Sequence, residues 1–271
     1  PPTGIKVSVV VPTYRRPDLL DRCLAALGTQ DFDPSSYEII IVDDAASDHT
    51  RRQVEGFAWS ARSAARYVAV TGRHGPAAAR NAGWRAARGG VVAFTDDDCI
   101  PDGRWLAEGV HAFEEGEVHA VTGRVVVPLP EPPTDYELDA AGLEGAEFVT
   151  ANCFCLRSAL EAVGGFDERF TAAWREDSDL QFTLLESGRR IGRAPAAGVV
   201  HPVRPARWAV SLNQQRKVVF DALLYKKHPR LYRHRVRRSP PWSYYAIVGS
   251  LGLAVASLVL GPLAGLSYVG L

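Results

Sequence analysis

Val91-Val92-Ala93-Phe94-Thr95-Asp96-Asp97-Asp98-Cys99-Ile100-Pro101-Asp102 opens on four apolar residues and passes at once to three carboxylates. A short apolar run halted by charge predicts a buried strand over Val91–Thr95. Strand side chains alternate between faces, so Asp96 and Asp98 share one face and Asp97 points away from it. Two carboxylates so close repel unless a cation sits between them, and a hard divalent ion with oxygen ligands meets that need. Such an ion keeps positions for water and substrate phosphate, and stabilises charge on a departing phosphoryl oxygen. Taken alone, the three residues fit a metal site for a phosphate-bearing substrate and a solvated acidic turn equally well.

The same design precedes them. Lys6–Val11 reads as a strand stopped by Pro12, followed by the loop Pro12-Thr13-Tyr14-Arg15-Arg16-Pro17. Leu19, Leu20, Cys23, Leu24 and Leu27 then recur at helical spacing up to Gly28. Glu38–Val42 is a second strand ending in carboxylates, Asp43 and Asp44; Ser47 or Asp48 caps a helix through Val54 and Phe57. Tyr67–Val70 predicts a third strand, and Gly75-Pro76 opens a helix over Ala77–Arg88. Alternating short strands and helices predict an α/β fold with a mainly parallel, doubly wound sheet. Ligands of such sheets bind beyond the C-terminal strand ends. Pro12-Thr13, Asp43-Asp44 and Asp96–Asp98 all fall at those ends, which is harder to dismiss than one acidic turn. Downstream, strands are expected over Ala120–Val127 and Phe148–Arg157, separated by P-L-P-E-P-P and an acidic loop to about Glu147. Glu176–Gly188 predicts a helix whose acidic start suits the positive end of its dipole.

Six segments, in this order, carry a resemblance: S-V-V-V-P-T-Y-R-R-P, E-I-I-I-V-D-D, G-P-A-A-A-R-N-A-G, F-T-D-D-D-C-I-P, G-G-F-D-E and R-E-D-S-D-L. Together they resemble family 2 glycosyltransferases, which have the nucleotide-diphospho-sugar transferase fold known as GT-A. The likeness spans Val7 to His201. It implies that Asp96 and Asp98 form the family's D-x-D pair, contacting the ribose and binding Mn2+ or Mg2+. On the nucleotide-sugar side it implies Pro12, Thr13, Asp44, Arg80 and Asn81, together with Asp96 and Asp97. It implies Asp177 as catalytic base with Glu176 as its neighbour, in a single in-line displacement that inverts the anomeric centre. The division makes chemical sense, because an acceptor hydroxyl needs a positioned base and a diphosphate leaves only if its new charge is stabilised.

Plainer readings stand beside these. Asp177 also fits a helix N-cap, with Glu176 favouring the dipole. Arg80 also fits a solvated helix position, and Asn81 a minor oddity in an Ala-rich helix. His201 is either a third metal ligand with Asp98 and Asp96, since imidazole and carboxylate share cations, or a loop histidine fixed by Pro202. Arg204 either reaches the diphosphate or begins a basic run, and Trp174 either lines the acceptor site or packs. Cys153 and Cys155 read as small buried packers. Processive members of the family carry Q-x-x-R-W after the base; Asn213-Gln214-Gln215-Arg216-Lys217 has no Trp in that place, which predicts single transfers.

At 271 residues and 46% apolar, the chain can bury one sizeable core or two modest ones. Its four cysteines lack metal or disulfide spacing, which predicts reduced thiols in a cytosolic setting. The start at Pro1 and the lack of Met predict a fragment or processed form. Net charge is zero, but residues 1–203 hold 20 Lys and Arg against 30 Asp and Glu, and residues 204–271 hold 11 against 1. That basic run precedes Tyr244–Leu271, which carries no charge. The expected organisation is therefore a catalytic domain over 1–205 (a nucleotide-sugar half to about 102, an acceptor half beyond), a basic juxtamembrane helix over 206–240, and a transmembrane segment over 241–271. The cations place the catalytic part on the cytoplasmic face, with a glycan or lipid-linked acceptor. No pattern points to nucleic acid. The rivals are an aspartyl-nucleophile phosphatase, which would have the D-x-D near the N-terminus, a nucleotidyltransferase with a Gly-rich first loop, and a non-catalytic membrane scaffold.

Overall fold

The computed structural model of the protein describes residues 4–60, 63–114, 116–206, 210 and 214–267, with side chains described as far as residue 258 apart from that of residue 60. The chain forms two units, Pro1–Leu224 and Tyr225–Leu271. Of the residues expected in the juxtamembrane segment, 206, 210 and 214–224 thus belong to the first.

The first unit is built on one eight-stranded sheet. Its elements run β1 (Val7–Thr13), α1 (Pro17–Gly28), β2 (Tyr37–Asp43), α2 (Asp48–Ser60), β3 (Ala64–Ala69), α3 (Pro76–Ala86), β4 (Val91–Phe94) and β5 (Ile100–Pro101). They continue as α4 (Trp105–Glu114), β6 (Ala120–Val126), α5 (Asp135–Ala141), β7 (Cys153–Leu156), α6 (Arg157–Val163), α7 (Glu176–Glu186) and β8 (Ile191–Val200). The strand order is β3-β2-β1-β4-β7-β6-β8-β5.

Alternation along β1 and β2 builds both faces of the core. Val9, Val11, Ile39 and Ile41 pack with Leu20, Leu24 and Leu27 of α1, Val54 of α2 and Leu106 of α4. Val10, Ile40 and Val42 face the other way, onto Ala77, Ala79 and Trp84 of α3 and Leu180 and Leu184 of α7. Each fully buried Val or Ile contributes roughly 1.5–3 kcal/mol, and β1 holds four valines with no exposed surface. Helix α3 lies close because Gly83 has no side chain; a Cβ there would overlap Val10. That contact brings the N-terminal half of α3, with Arg80, under the end of β4.

The expected sheet is corrected in its second half. β3, β2, β1 and β4 are parallel, whereas β7 runs antiparallel to both β4 and β6, and β5 antiparallel to β8. Mixed pairing lets residues far along the chain return beside β4. Strand β8 was not expected, since R-A-P-A-A-G reads as a loop. It pairs parallel with β6, but the register jumps so that Ala194 faces Gly123 and Gly198 faces Arg124. Residues 195–197 bulge out, which is where a proline without an N–H can sit in a sheet. Asn152 fills the bulge, its amide donating to the carbonyls of Arg124 and Ala197, both at 2.9 Å. Asn152 therefore precedes a strand shorter than the expected Phe148–Arg157.

In the second unit, Trp242–Ser267 is one helix. The expected transmembrane span is not supported: among the described residues no helix is long and apolar enough to cross a membrane. Ile247, Val248, Leu251, Leu253 and Leu258 are nevertheless exposed along it. Asn213 of the single-transfer argument lies outside the described residues.

Candidate active site

The three aspartates follow β4 in a turn, and each finds its own arginine. Asp97 turns under the β1–α1 loop, accepting from the Thr13 hydroxyl at 2.7 Å and from Arg16 at 3.1 Å. Asp96 accepts from Arg80 at 2.7 Å, and Asp98 pairs with Arg204 at 3.0 Å. A buried unpaired carboxylate costs several kcal/mol, so three in a row persist only with such partners. Burial still pushes Asp97 up to about 6, against the pull of Arg16 and Thr13. Burial also raises Asp96, but Arg80, His201 and Arg204 outweigh it and hold this carboxyl below its ordinary value.

Arg80 joins this cluster to the acids of α7. One terminal nitrogen serves Asp96 and the other donates to Glu176 at 3.0 Å. The guanidinium is 2% exposed, so it is a buried cation between two carboxylates and not the solvated helix residue of the plainer reading. Burial pushes Glu176 up to about 7, against Arg80 and with the push of Asp177. Asp177 lies in the first turn of α7 and is half-buried, its Oδ1 accepting from its neighbour Ser178's N–H at 2.6 Å. Burial raises its carboxyl too, against that N–H and Arg80. Of the pair, Glu176 is locked to Arg80 and Asp177 is the more accessible. Arg175, just before them, holds φ at 72°, a left-handed conformation costly for a residue with a side chain.

The β1 and β2 ends meet where Asp44 N–H donates to the Thr13 carbonyl at 3.0 Å. The Asp44 carboxylate accepts from Gly75 N–H and contacts His74 Nδ1, both at 2.9 Å. With Tyr14, Arg15 and Thr171 it lines an open cleft of about 520 Å³. Pro12 sits one residue inside β1, paired with Val42. Thr13 is buried and committed to Asp97. Asn81, expected beside the nucleotide, is corrected to a scaffold role. Its amide donates to the Phe166 carbonyl and Glu168, its oxygen accepts from Trp84 and Phe166 N–H, and it is 1% exposed. It pins the Gly-Gly-Phe turn, where Gly165 adopts φ 77° directly against Trp84.

His201, at the end of β8, brings Nε2 to 3.6 Å from Asp98 Oδ1. Asp98 Oδ1 and His201 Nδ1 are buried without a hydrogen-bond partner, and Asp98, Cys99 and His201 offer ligand atoms within 4.8 Å of one another. An unsatisfied buried carboxylate oxygen facing an imidazole fits a divalent cation. Burial pushes the Cys99 thiol up. Asp96 is nearby and gives one oxygen, Oδ1, to Arg80. Repulsion among the aspartates therefore does not itself demand a metal, since arginines already neutralise them; the case rests on Asp98 and His201.

Arg16 and Asp221 were missed in the sequence. Arg16 meets Asp97 across 81 residues of chain, and Asp221 meets Trp174 and Arg175 across 47 and 46. No local spacing announces pairs so distant. Trp174 is held there by its indole N–H.

The family model for glycosyl transferase family 2 matches residues 8–161, and that for glycosyl transferase family group 2 matches residues 91–271. Glycosyltransferase AglE of Haloferax volcanii is 28% identical over 73% of this chain and 67% of its own. The pre-mycofactocin glycosyltransferase of Mycobacterium tuberculosis is 32% identical over 70% of this chain, which spans 44% of it. Among solved structures, mannosyltransferase PcManGT from Pyrobaculum calidifontis, in complex with GDP-Man and Mn2+, superposes with a TM-score of 0.65 at 24% identity, covering 97% of this chain and 80% of its own. A fragment of S. aureus TarS with UDP-GlcNAc gives 0.61 at 21% identity, over 76% of this chain and 61% of its own. Motifs, sheet and relatives agree, and the chain belongs to glycosyl transferase family 2, a family of enzymes that transfer sugars.

Proposed function

We propose that this chain transfers a sugar from a nucleotide-diphospho-sugar to an acceptor hydroxyl by a single, metal-dependent, inverting and non-processive displacement. The observation that carries this reading is the Arg80 bridge, which puts the acids of α7 and the aspartates of β4 into one site. In it, Asp177 takes the acceptor proton, being the accessible member of its pair and made more basic by burial. Glu176, locked to Arg80, orients that turn. The cleft beside Asp44 takes the base, and Asp98 with His201 would hold a divalent cation. When bound, that ion supplies positive charge for the departing diphosphate. Arg204 adds a fixed cation on the same side. PcManGT is described with Mn2+ and GDP-Man, which supports metal use by this fold.

The acceptor in this reading is a glycan or lipid-linked alcohol of the cell envelope. The exposed apolar side chains between Trp242 and Leu258, following the basic run, support contact with a cytoplasmic membrane face. The test of function is release of free nucleotide from a panel of UDP- and GDP-sugars, with and without Mn2+. Turnover with one donor, abolished in Asp177→Asn, is expected. Failure of every donor to turn over, with sugar-alcohol acceptors or with water, favours a scaffold that merely keeps the fold.

A further inference from the structure

The loop that delivers Glu176 and Asp177 is held from outside the strands and helices that carry them. Residues 170–175 are gripped at four points by 217–221. The indole N–H of Trp174 donates to Asp221 Oδ2 at 3.1 Å, and Arg175 Nε donates to Asp221 Oδ1 at 2.7 Å. Lys217 Nζ reaches the Ala173 carbonyl at 3.4 Å and also lies over the Trp174 ring. The Phe170 and Phe220 rings stack, tilted, at 5.8 Å. Asp221 is thus a fork: each oxygen takes one of two consecutive residues. Neither member of the Arg175–Asp221 pair is on open surface, with side chains 28% and 19% exposed.

The fork acts where the backbone most needs support. Arg175 is the residue before the first turn of α7, stands in the left-handed region, and gives that helix no side-chain cap. A non-glycine residue persists there only when its surroundings over-determine it. The first turn carries both acids, so whatever fixes Arg175 fixes the direction of Asp177. We infer that residues 217–221 are a latch on this loop, and that Asp221 is a positioning residue for Asp177. The inference rests on Asp177 being the base, and it extends the working part of the enzyme past His201 to Asp221.

Asp221→Asn keeps the shape and removes the charge, and Lys217→Gln loosens the same loop at a second point. Hydrogen–deuterium exchange over 170–176 needs no substrate and reads the latch directly. In Asp221→Asn, exchange there is expected to quicken by about fivefold or more, with exchange in β1 and β2 unchanged. With UDP-GlcNAc and GDP-Man plus Mn2+ as probes, kcat for donor turnover is expected to fall roughly tenfold while donor KM stays within about twofold. Asp221→Glu is expected to restore part of both, and Lys217→Gln to move both in the same direction by less. Unchanged exchange overturns the latch. Faster exchange with kcat within about twofold of wild type overturns the positioning role. If Asp177→Asn instead turns over at the full rate, the base reading fails while the exchange result still stands for the loop.

Discussion

Arg80 and Glu176 are 96 residues apart in the chain and 3.0 Å apart in the fold, and the same guanidinium reaches Asp96 at 2.7 Å. The buried cation therefore serves as the joint between the donor-side and acceptor-side acids. Asp96 and Glu176 outweigh the effect of burial on Arg80 and keep its guanidinium protonated.

Removing the joint strands the buried carboxylate of Glu176 and the part-buried one of Asp96. Arg80→Ala is expected to cost roughly 3–5 kcal/mol, a melting point lower by at least about 6 °C. Arg80→Lys recovers only part, since an ammonium lacks the planar fork that serves two carboxylates at once. Thermal denaturation of both variants checks this; an Arg80→Ala melt equal to wild type would sink the buried-pair account.

Glu176 gives a pH dependence of defined sign. Its folded value of about 7 lies above its ordinary 4.5, so the neutral form is favoured by folding. That contribution is complete below about pH 4.5 and is lost as pH rises through 7, by up to about 3 kcal/mol. Glu176→Gln cannot ionise, so its stability relative to wild type should improve from pH 4.5 to pH 8. Urea denaturation of the metal-free proteins at the two pH values measures the difference, and an opposite trend contradicts the burial argument.

Asp177→Asn should lower transfer by roughly 10²–10⁴ with nucleotide binding unaltered. In the wild type, activity should rise with pH, because a base works only when ionised and burial raises this carboxyl. A rate profile against pH, beside isothermal titration of the nucleotide, separates a lost base from lost binding.

Cation binding should need Asp98 and His201. Mn2+ at about a hundred times its Kd should stabilise the wild type by about 2.7 kcal/mol, and Asp98→Ala or His201→Ala should abolish that gain. Differential scanning fluorimetry with and without Mn2+ reads it directly. Equal stabilisation of Asp98→Ala would move the metal elsewhere.

Asn81 tests scaffold against ligand contact. Asn81→Ala leaves the buried Phe166 amide and Trp84 N–H without their acceptor, and should cost at least about 2 kcal/mol. Nucleotide affinity of the folded fraction should not change. A weaker affinity with unchanged stability would return Asn81 to the nucleotide site.

Much of the first hundred residues was legible because their information is local. Apolar runs before Pro12, Asp43 and Asp96 mark strand ends, and Gly75-Pro76 marks a helix start within a few residues. The acids of the site could be named for the same reason, since D-D-D and E-D are contiguous. The second half was read less well: the bulge at 195–197 hides β8 behind a proline, and its register is set by β6 and by Asn152, not by its own residues.

The sequence by itself determined a parallel α/β half, the strand-end position of Thr13, Asp44 and Asp96–Asp98, and the family. Periodicity and contiguous motifs act over a few residues, so one dimension holds them in full. Only the tertiary structure decided that each aspartate has its own arginine, that Asn81 is spent on a turn, that Glu176 is locked and Asp177 accessible, and that Asp221 holds the loop before them. Those outcomes depend on ion pairs and hydrogen bonds spanning 16 to 106 positions of chain. Burial sets their strength, and burial is a property of the folded sheet that no local spacing records.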